Sequence, residues 1–142
     1  MIHFQLVSLG GVKLDQEVYE IILPTLDGQI AVLPGHMPLI SAATNGVVSI
    51  RKTPTERDDM MDHFAISGGV IEVENDTLRV LVDEADHADE ISEAEAQKAY
   101  DLAQKMKSEA KDQVSLEHAQ SLIDRSAVRL QVAGLKRRRT RS

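Results

Sequence analysis

The stretch GVIEVENDTLRVLVDE, Gly69 to Glu84, decides the fold. Ile71 and Val73 alternate with Glu72 and Glu74, and Leu78, Val80 and Val82 alternate with Thr77, Arg79 and Leu81. A period of two puts alternate side chains on opposite faces of a strand. Between the runs, Asn75-Asp76 tolerates the positive φ that a tight hairpin demands. The stretch therefore reads as two antiparallel strands sharing one apolar face.

Upstream the same grammar repeats. Strand-length runs IHFQLVSL, EVYEIIL, QIAVL, GVVSIRK and HFAIS are separated by Gly10-Gly11, Asp27-Gly28, Asn45-Gly46, TPTERDD and Ser67-Gly68-Gly69. Seven or more short strands with regular turn signals predict an antiparallel β-sandwich or barrel over residues 1–88. Its aromatics are only Phe4, Tyr19 and Phe64, so its core is built from Val, Ile and Leu.

Downstream the period changes. The acidic run DEADHADE, Asp83 to Glu90, marks the boundary, and Ser92 with Glu95 reads as a helix-capping box. Ala96, Ala99, Ala103, Met106 and Ala110 then recur at helical spacing. A second helix is expected from near Ser115, with Leu116, Ala119, Leu122 or Ile123, Ala127 and Leu130 as its stripe, ending before Gly134. Residues 89–142 thus form an antiparallel αα-hairpin, each arm about 30 Å long, with a basic tail. An alanine face buries one methyl per residue, so the hairpin is weakly held: a mobile arm or a fixed cap on the sandwich.

The net charge of −7 is unevenly spread. Residues 1–88 carry 5 Lys/Arg against 14 Asp/Glu, and residues 89–142 carry 11 against 9. The tail KRRRTR supplies Lys136, Arg137, Arg138, Arg139 and Arg141, and Arg125 and Arg129 lie upstream on the same helix. Such a tail fits an acidic partner, phosphate or an anionic surface. No apolar run is long enough to span a membrane, and no signal-peptide pattern opens the chain. The absence of cysteine removes disulfides and thiolate zinc sites. Five scattered histidines form no ligand spacing, and the acidic run lacks a calcium-loop pattern, so neither metal nor cofactor is expected. Phosphate-binding glycine loops and nucleophile motifs are missing, so no catalytic residue is assigned. An acidic β domain with few aromatics is also poorly suited to nucleic acid. What remains is a binding or mechanical role, or a ligand- or nucleotide-sensing sandwich with a helical lid.

GQIAVLPGHMPLIS, Gly28 to Ser41, contains the segment Leu33-Pro34-Gly35-His36-Met37-Pro38-Leu39. Together with ISGGVIEVENDTLRVLVDEAD and the alanine-rich hairpin, it resembles the epsilon subunit of F-type ATP synthases, whose mitochondrial counterpart is called delta. The resemblance spans essentially the whole chain. It implies a non-catalytic rotor subunit at the foot of the central stalk, bound to the gamma subunit and resting on the polar loops of the c-ring. It implies coupling of proton flow to ATP synthesis, and a helical hairpin that extends to the alpha and beta subunits of the catalytic head to restrain hydrolysis. The docking loop would comprise Gln29, Pro34, Gly35, His36 and Pro38, with His36 exposed, and Gln29 stands where the family often has Glu. The inhibitory contacts would come from Arg125, Arg129, Lys136, Arg137, Arg138, Arg139 and Arg141. Some members bind ATP through an Ile/Leu-Asp-x-x-Arg-Ala motif. In VSLEHA, Val114 to Ala119, Ser115 stands for its Asp and His118 for its Arg, so no ATP site is expected. The implied location is the cytoplasmic face of a bacterial plasma membrane, reached only through the complex.

Overall fold

The computed structural model describes residues 1–141, and side chains as far as Lys136. Ten strands precede two helices: β1 (Ile2–Ser8), β2 (Gly11–Val18), β3 (Glu20–Thr25), β4 (Gly28–Val32), β5 (Leu39–Ala43), β6 (Gly46–Arg51), β7 (Asp62–Ile66), β8 (Gly69–Glu74), β9 (Thr77–Val82) and β10 (Ala85–His87), then α1 (Glu93–Glu109) and α2 (Gln113–Arg141). The β-sandwich followed by a helical pair expected from periodicity is the observed fold.

The strands hydrogen-bond in the order β10-β7-β6-β3-β5-β8-β9-β1-β2, with β4 on β3. β3 and β5 share only the pair Thr25 and Ala43. At that weak seam the sheet turns over, and its two halves close on one core. Phe4, Leu6, Ile71, Val73, Leu78 and Val80 from one half meet Ile21, Leu23, Val48, Ile50 and Phe64 from the other. Each is nearly or fully inaccessible, and every such burial contributes about 1.5–3 kcal/mol.

Four details depart from the expectation. The sandwich is not wholly antiparallel, because β1 runs parallel to β9. β2 and β10 were not legible as separate strands, since β2 carries Lys13, Asp15 and Glu17 among its few apolar residues and β10 is three residues long. The acidic run is not merely a solvated boundary: β10 lies inside it and pairs with β7. Its full reciprocal capping box is His87 with Glu90, whereas Ser92 only accepts from the Glu95 amide at 3.3 Å.

The Asn75-Asp76 hairpin is as expected, with φ of 50° and 55°. Ala96 and Ala103 are buried on α1, but Ala99 is exposed and Tyr100 is half-buried beside them. The Tyr100 hydroxyl accepts from Gln104 at 3.0 Å, so the residue keeps its polar tip satisfied while its body is partly covered. α2 begins earlier than Ser115, with Asp112 accepting from the Ser115 amide at 2.7 Å as an N-cap. Its buried face holds Ala119, Ser126, Val132 and Ala133, and Ala127 is exposed. Ala119, Ile123, Ser126, Leu130 and Ala133 keep a 4-3-4-3 rhythm, in which a small serine packs as an alanine would. The helix also continues through Gly134, at a propensity cost of about 1 kcal/mol, because Val132, Ala133 and Leu135 dock on the sandwich.

Candidate functional site: two outer faces and a loop

The sandwich has two outer faces, and α2 packs on one of them. On that face Val47, Ala65 and Asp86 are aligned across β6, β7 and β10. Val132 and Ala133 of α2, with Val128 and Leu135, pack there against Val47, Ala65, Ala88 and Ile91. Alongside, Arg129 reaches Asp86 at 2.5 Å, Arg125 reaches Glu84 at 3.6 Å and Lys136 reaches Asp89 at 3.6 Å. The sequence reading assigned these cations to a partner. In the folded chain they are paired with the acidic run. Arg137, Arg138, Arg139 and Arg141, assigned with them, lie outside the residues whose side chains are described.

Among the described residues, no helix packs on the opposite face. Register places Ala42, Val70, Leu81, Val7 and Val12 in one row across β5, β8, β9, β1 and β2. At about 4.8 Å per strand the row is about 19 Å long. Val12 is 65% exposed, Val70 48% and Leu81 45%. Strands that face water normally alternate apolar-in and polar-out, so a whole row of outward aliphatics marks a contact surface. The next rows are polar. Arg79 donates to Gln5 at 3.2 Å, and Gln5 donates to Asp15 at 3.3 Å. His3 lies 2.9 Å from Glu17 and 2.5 Å from Asp15. Those carboxylates, Glu17 foremost, hold the His3 imidazolium above its ordinary pKa. The row was missed in the sequence because its five residues come from five strands.

The expected docking loop is split. Pro34, Gly35, His36 and Pro38 follow the end of β4, where Gly35 has φ +83° and its amide donates to Asp76 Oδ1 at 2.7 Å. Gln29 pairs with Pro24 at the opposite end of β4, beside the exposed Leu26, about 16 Å away along the strand. His36 is half-buried rather than exposed, with Nδ1 2.7 Å from the Met37 carbonyl. Pro34, Gly35 and Pro38 are exposed, as are Met37 and Ile40. Ser115 and His118 are both exposed. Among the described residues, no group of three or more His, Asp or Glu is placed to hold a metal ion, and no helix is long and apolar enough to cross a membrane.

A sandwich with an uncovered apolar row on one outer face and an ion-paired helical arm on the other is built for contact with other chains. Residues 1–88 match the family model described as ATP synthase, Delta/Epsilon chain, beta-sandwich domain. The chain is 33% identical to the ATP synthase epsilon chain of Herpetosiphon aurantiacus, over 97% of this chain and 98% of that one. It is 35% identical to that of Geobacter sp. (strain M21), over 95% of each. In fold it is similar to a chain of the Euglena gracilis mitochondrial ATP synthase in an OSCP/F1/c-ring structure, with a TM-score of 0.78, 23% identity and coverage of 93% and 80%. The chain belongs to the ATP synthase delta/epsilon chain family, and within it to the epsilon kind, a non-catalytic subunit of the complex.

Proposed function

We propose that this chain is the rotor-side epsilon subunit of the central stalk, coupling proton flow through the c-ring to ATP synthesis in the catalytic head. The sandwich, residues 1–88, docks on the gamma subunit and on the polar loops of the c-ring. The hairpin, residues 89–142, restrains ATP hydrolysis when it reaches the alpha and beta subunits. The subunit is peripheral, held at the cytoplasmic face of a bacterial plasma membrane by the complex alone.

The observation that carries this reading is the uncovered row Ala42, Val70, Leu81, Val7 and Val12, on the face that the hairpin leaves free. A row of aliphatics beside charged rows suits a large partner with an apolar ridge. Met37 in the loop after β4, Ile40 on β5, and Leu26 with Gln29 at the start of β4 provide further edges for the same assembly. The test is copurification with the gamma subunit of the same organism. Val70→Glu combined with Leu81→Lys is expected to abolish capture while leaving the sandwich folded, since both positions face water in the free chain. Undiminished capture would remove this face from the interface. For the inhibitory role, neutralising Arg125, Arg129, Lys136, Arg137, Arg138, Arg139 and Arg141 together is expected to raise ATP hydrolysis by the assembled enzyme without loss of assembly.

A second reading, a ligand-sensing sandwich with a helical lid, is favoured by a polar cleft between sandwich and α2 that includes Asn45, Ser67, Glu84, Ser121 and Arg125. Calorimetry separates the two. No ATP binding is expected, because Ser115 and His118 offer neither the carboxylate nor the guanidinium of the family motif. Micromolar binding would put the sensing role first.

A further inference from the structure

The contact between α2 and the acidic run is commensurate. Arg125 and Arg129 are four residues apart on a helix, about 6.0 Å at 1.5 Å per residue. Glu84 and Asp86 are two residues apart along an extended segment, about 6.6 Å at 3.3 Å per residue. Helix and strand thus present opposite charges at nearly the same interval, and Lys136 with Asp89 adds a third rung after the chain turns. The apolar contact beside the ladder is small: Val132 and Ala133, with Val128 and Leu135, on Val47, Ala65, Ala88 and Ile91. The outer rungs are the more exposed, at 46% and 49% for Arg125 and Glu84 and 40% and 72% for Lys136 and Asp89, against 30% and 27% for Arg129 and Asp86. Exposed pairs are individually weak and are screened by salt, so such a ladder holds a helix reversibly.

We propose that Glu84, Asp86 and Asp89 are an internal acidic decoy, which docks α2 by occupying Arg125, Arg129 and Lys136. Resting on the inhibitory role proposed above, the inference adds that α2 leaves the sandwich by exchange of carboxylates. An acidic partner segment gains the three cations only as the decoy gives them up. The matching partner surface is a helix with carboxylates at i and i+4, which repeats the same 6 Å interval. The resting balance is then set within this chain, by the acidic run as much as by the cations.

The chain has no cysteine, so spin labels at Thr55→Cys and Ser121→Cys report the distance between sandwich and α2 without interference. Docked chains give one narrow distribution, and release broadens it. Asp86→Lys and Arg129→Asp are each expected to broaden it, and the two combined are expected to restore the narrow form. Raising KCl to about 1 M, where the Debye length is about 3 Å, is expected to raise the released fraction about tenfold, the sum for three such pairs. The triple variant Glu84→Gln, Asp86→Asn, Asp89→Asn is expected to start released and to ignore salt. Strand amide resonances report separately that the sandwich stays folded. A narrow, salt-independent distribution in the triple variant would overturn the proposal, as would failure of the combined charge exchange to restore docking. The readout uses the isolated chain, so an unchanged rate of hydrolysis in the assembled enzyme would count against the inhibitory role and leave the decoy standing.

Discussion

The amide of Gly35 donates to Asp76 Oδ1 at 2.7 Å, tying the Pro34–Pro38 loop to a hairpin 41 residues further along the chain. Pro34 and Pro38 fix φ at their own positions, but neither has an N–H with which to anchor the loop by a backbone hydrogen bond. Asp76 supplies it, and it can do so because its own φ of 55° turns the side chain out of the β8–β9 turn. Asp76→Gly keeps that backbone and deletes the acceptor. Exchange of the Gly35 amide is expected to speed up about fivefold, the equivalent of one hydrogen bond of about 1 kcal/mol, while Asp76→Asn, which keeps an oxygen, changes little. Hydrogen exchange followed by NMR reads both variants.

Gly69 is required for a different reason. A Cβ there would lie 1.9 Å from the Leu81 carbonyl oxygen and 2.8 Å from its carbon, and both belong to the backbone of β9. Backbone in a central strand cannot step aside as a side chain does. Gly69→Ala is expected to cost about 3 kcal/mol or more in urea unfolding. Gly10→Ala is the control, since its Cβ would meet only Ser8 Oγ at 3.6 Å.

The sandwich was legible because Ile71, Val73, Leu78, Val80 and Val82 announce their strands locally, and the Asn75-Asp76 turn announces their pairing. β10 was hidden because Asp86 and His87 read as solvated charge until β7 is beside them. Ser126 and Ala127 were exchanged as core and surface because polarity is a weaker guide than helical phase when both residues are small. The site was less legible still. The apolar row exists only through register across five strands, and the parallel pairing of β1 with β9, which brings Val7 beside Leu81, has no turn to signal it. The family pattern located the loop but not the distance between Gln29 and His36, which the length of β4 sets.

His3 makes the sandwich sensitive to pH near its polar row. Its folded pKa is raised above 6.5 by Glu17 first and by Asp15. A group raised on folding adds stability that is complete below its unfolded value and disappears as pH climbs through the folded one. Comparing wild type with His3→Gln, the stability advantage of wild type is therefore expected to be largest just below pH 6.5 and to fade on the alkaline side. An advantage that grew with pH would show that the histidine folds neutral.

The hairpin seam sets how tightly the arm closes on itself. Ala96 and Ala103 on α1, with Ala119 and Ser126 on α2, are buried, and no larger side chain is buried as fully along that seam among the described residues of the two helices before Val132. Small residues let the helices approach closely, and Lys107 then reaches across to Gln120 at 2.7 Å. Ala103→Leu inserts three extra carbons where none fit, which in a close-packed seam costs about 1–3 kcal/mol. The loss is expected to appear as melting of the helical signal at lower temperature, with the strand signal unmoved, because α1 lies in the hairpin and not in the sandwich core. Leu102→Ala removes an exposed side chain on the neighbouring position of α1 and is expected to leave both transitions in place. If Ala103→Leu lowered the strand transition equally, hairpin and sandwich would unfold as one unit, and an arm released while the sandwich stays intact would have no thermodynamic basis.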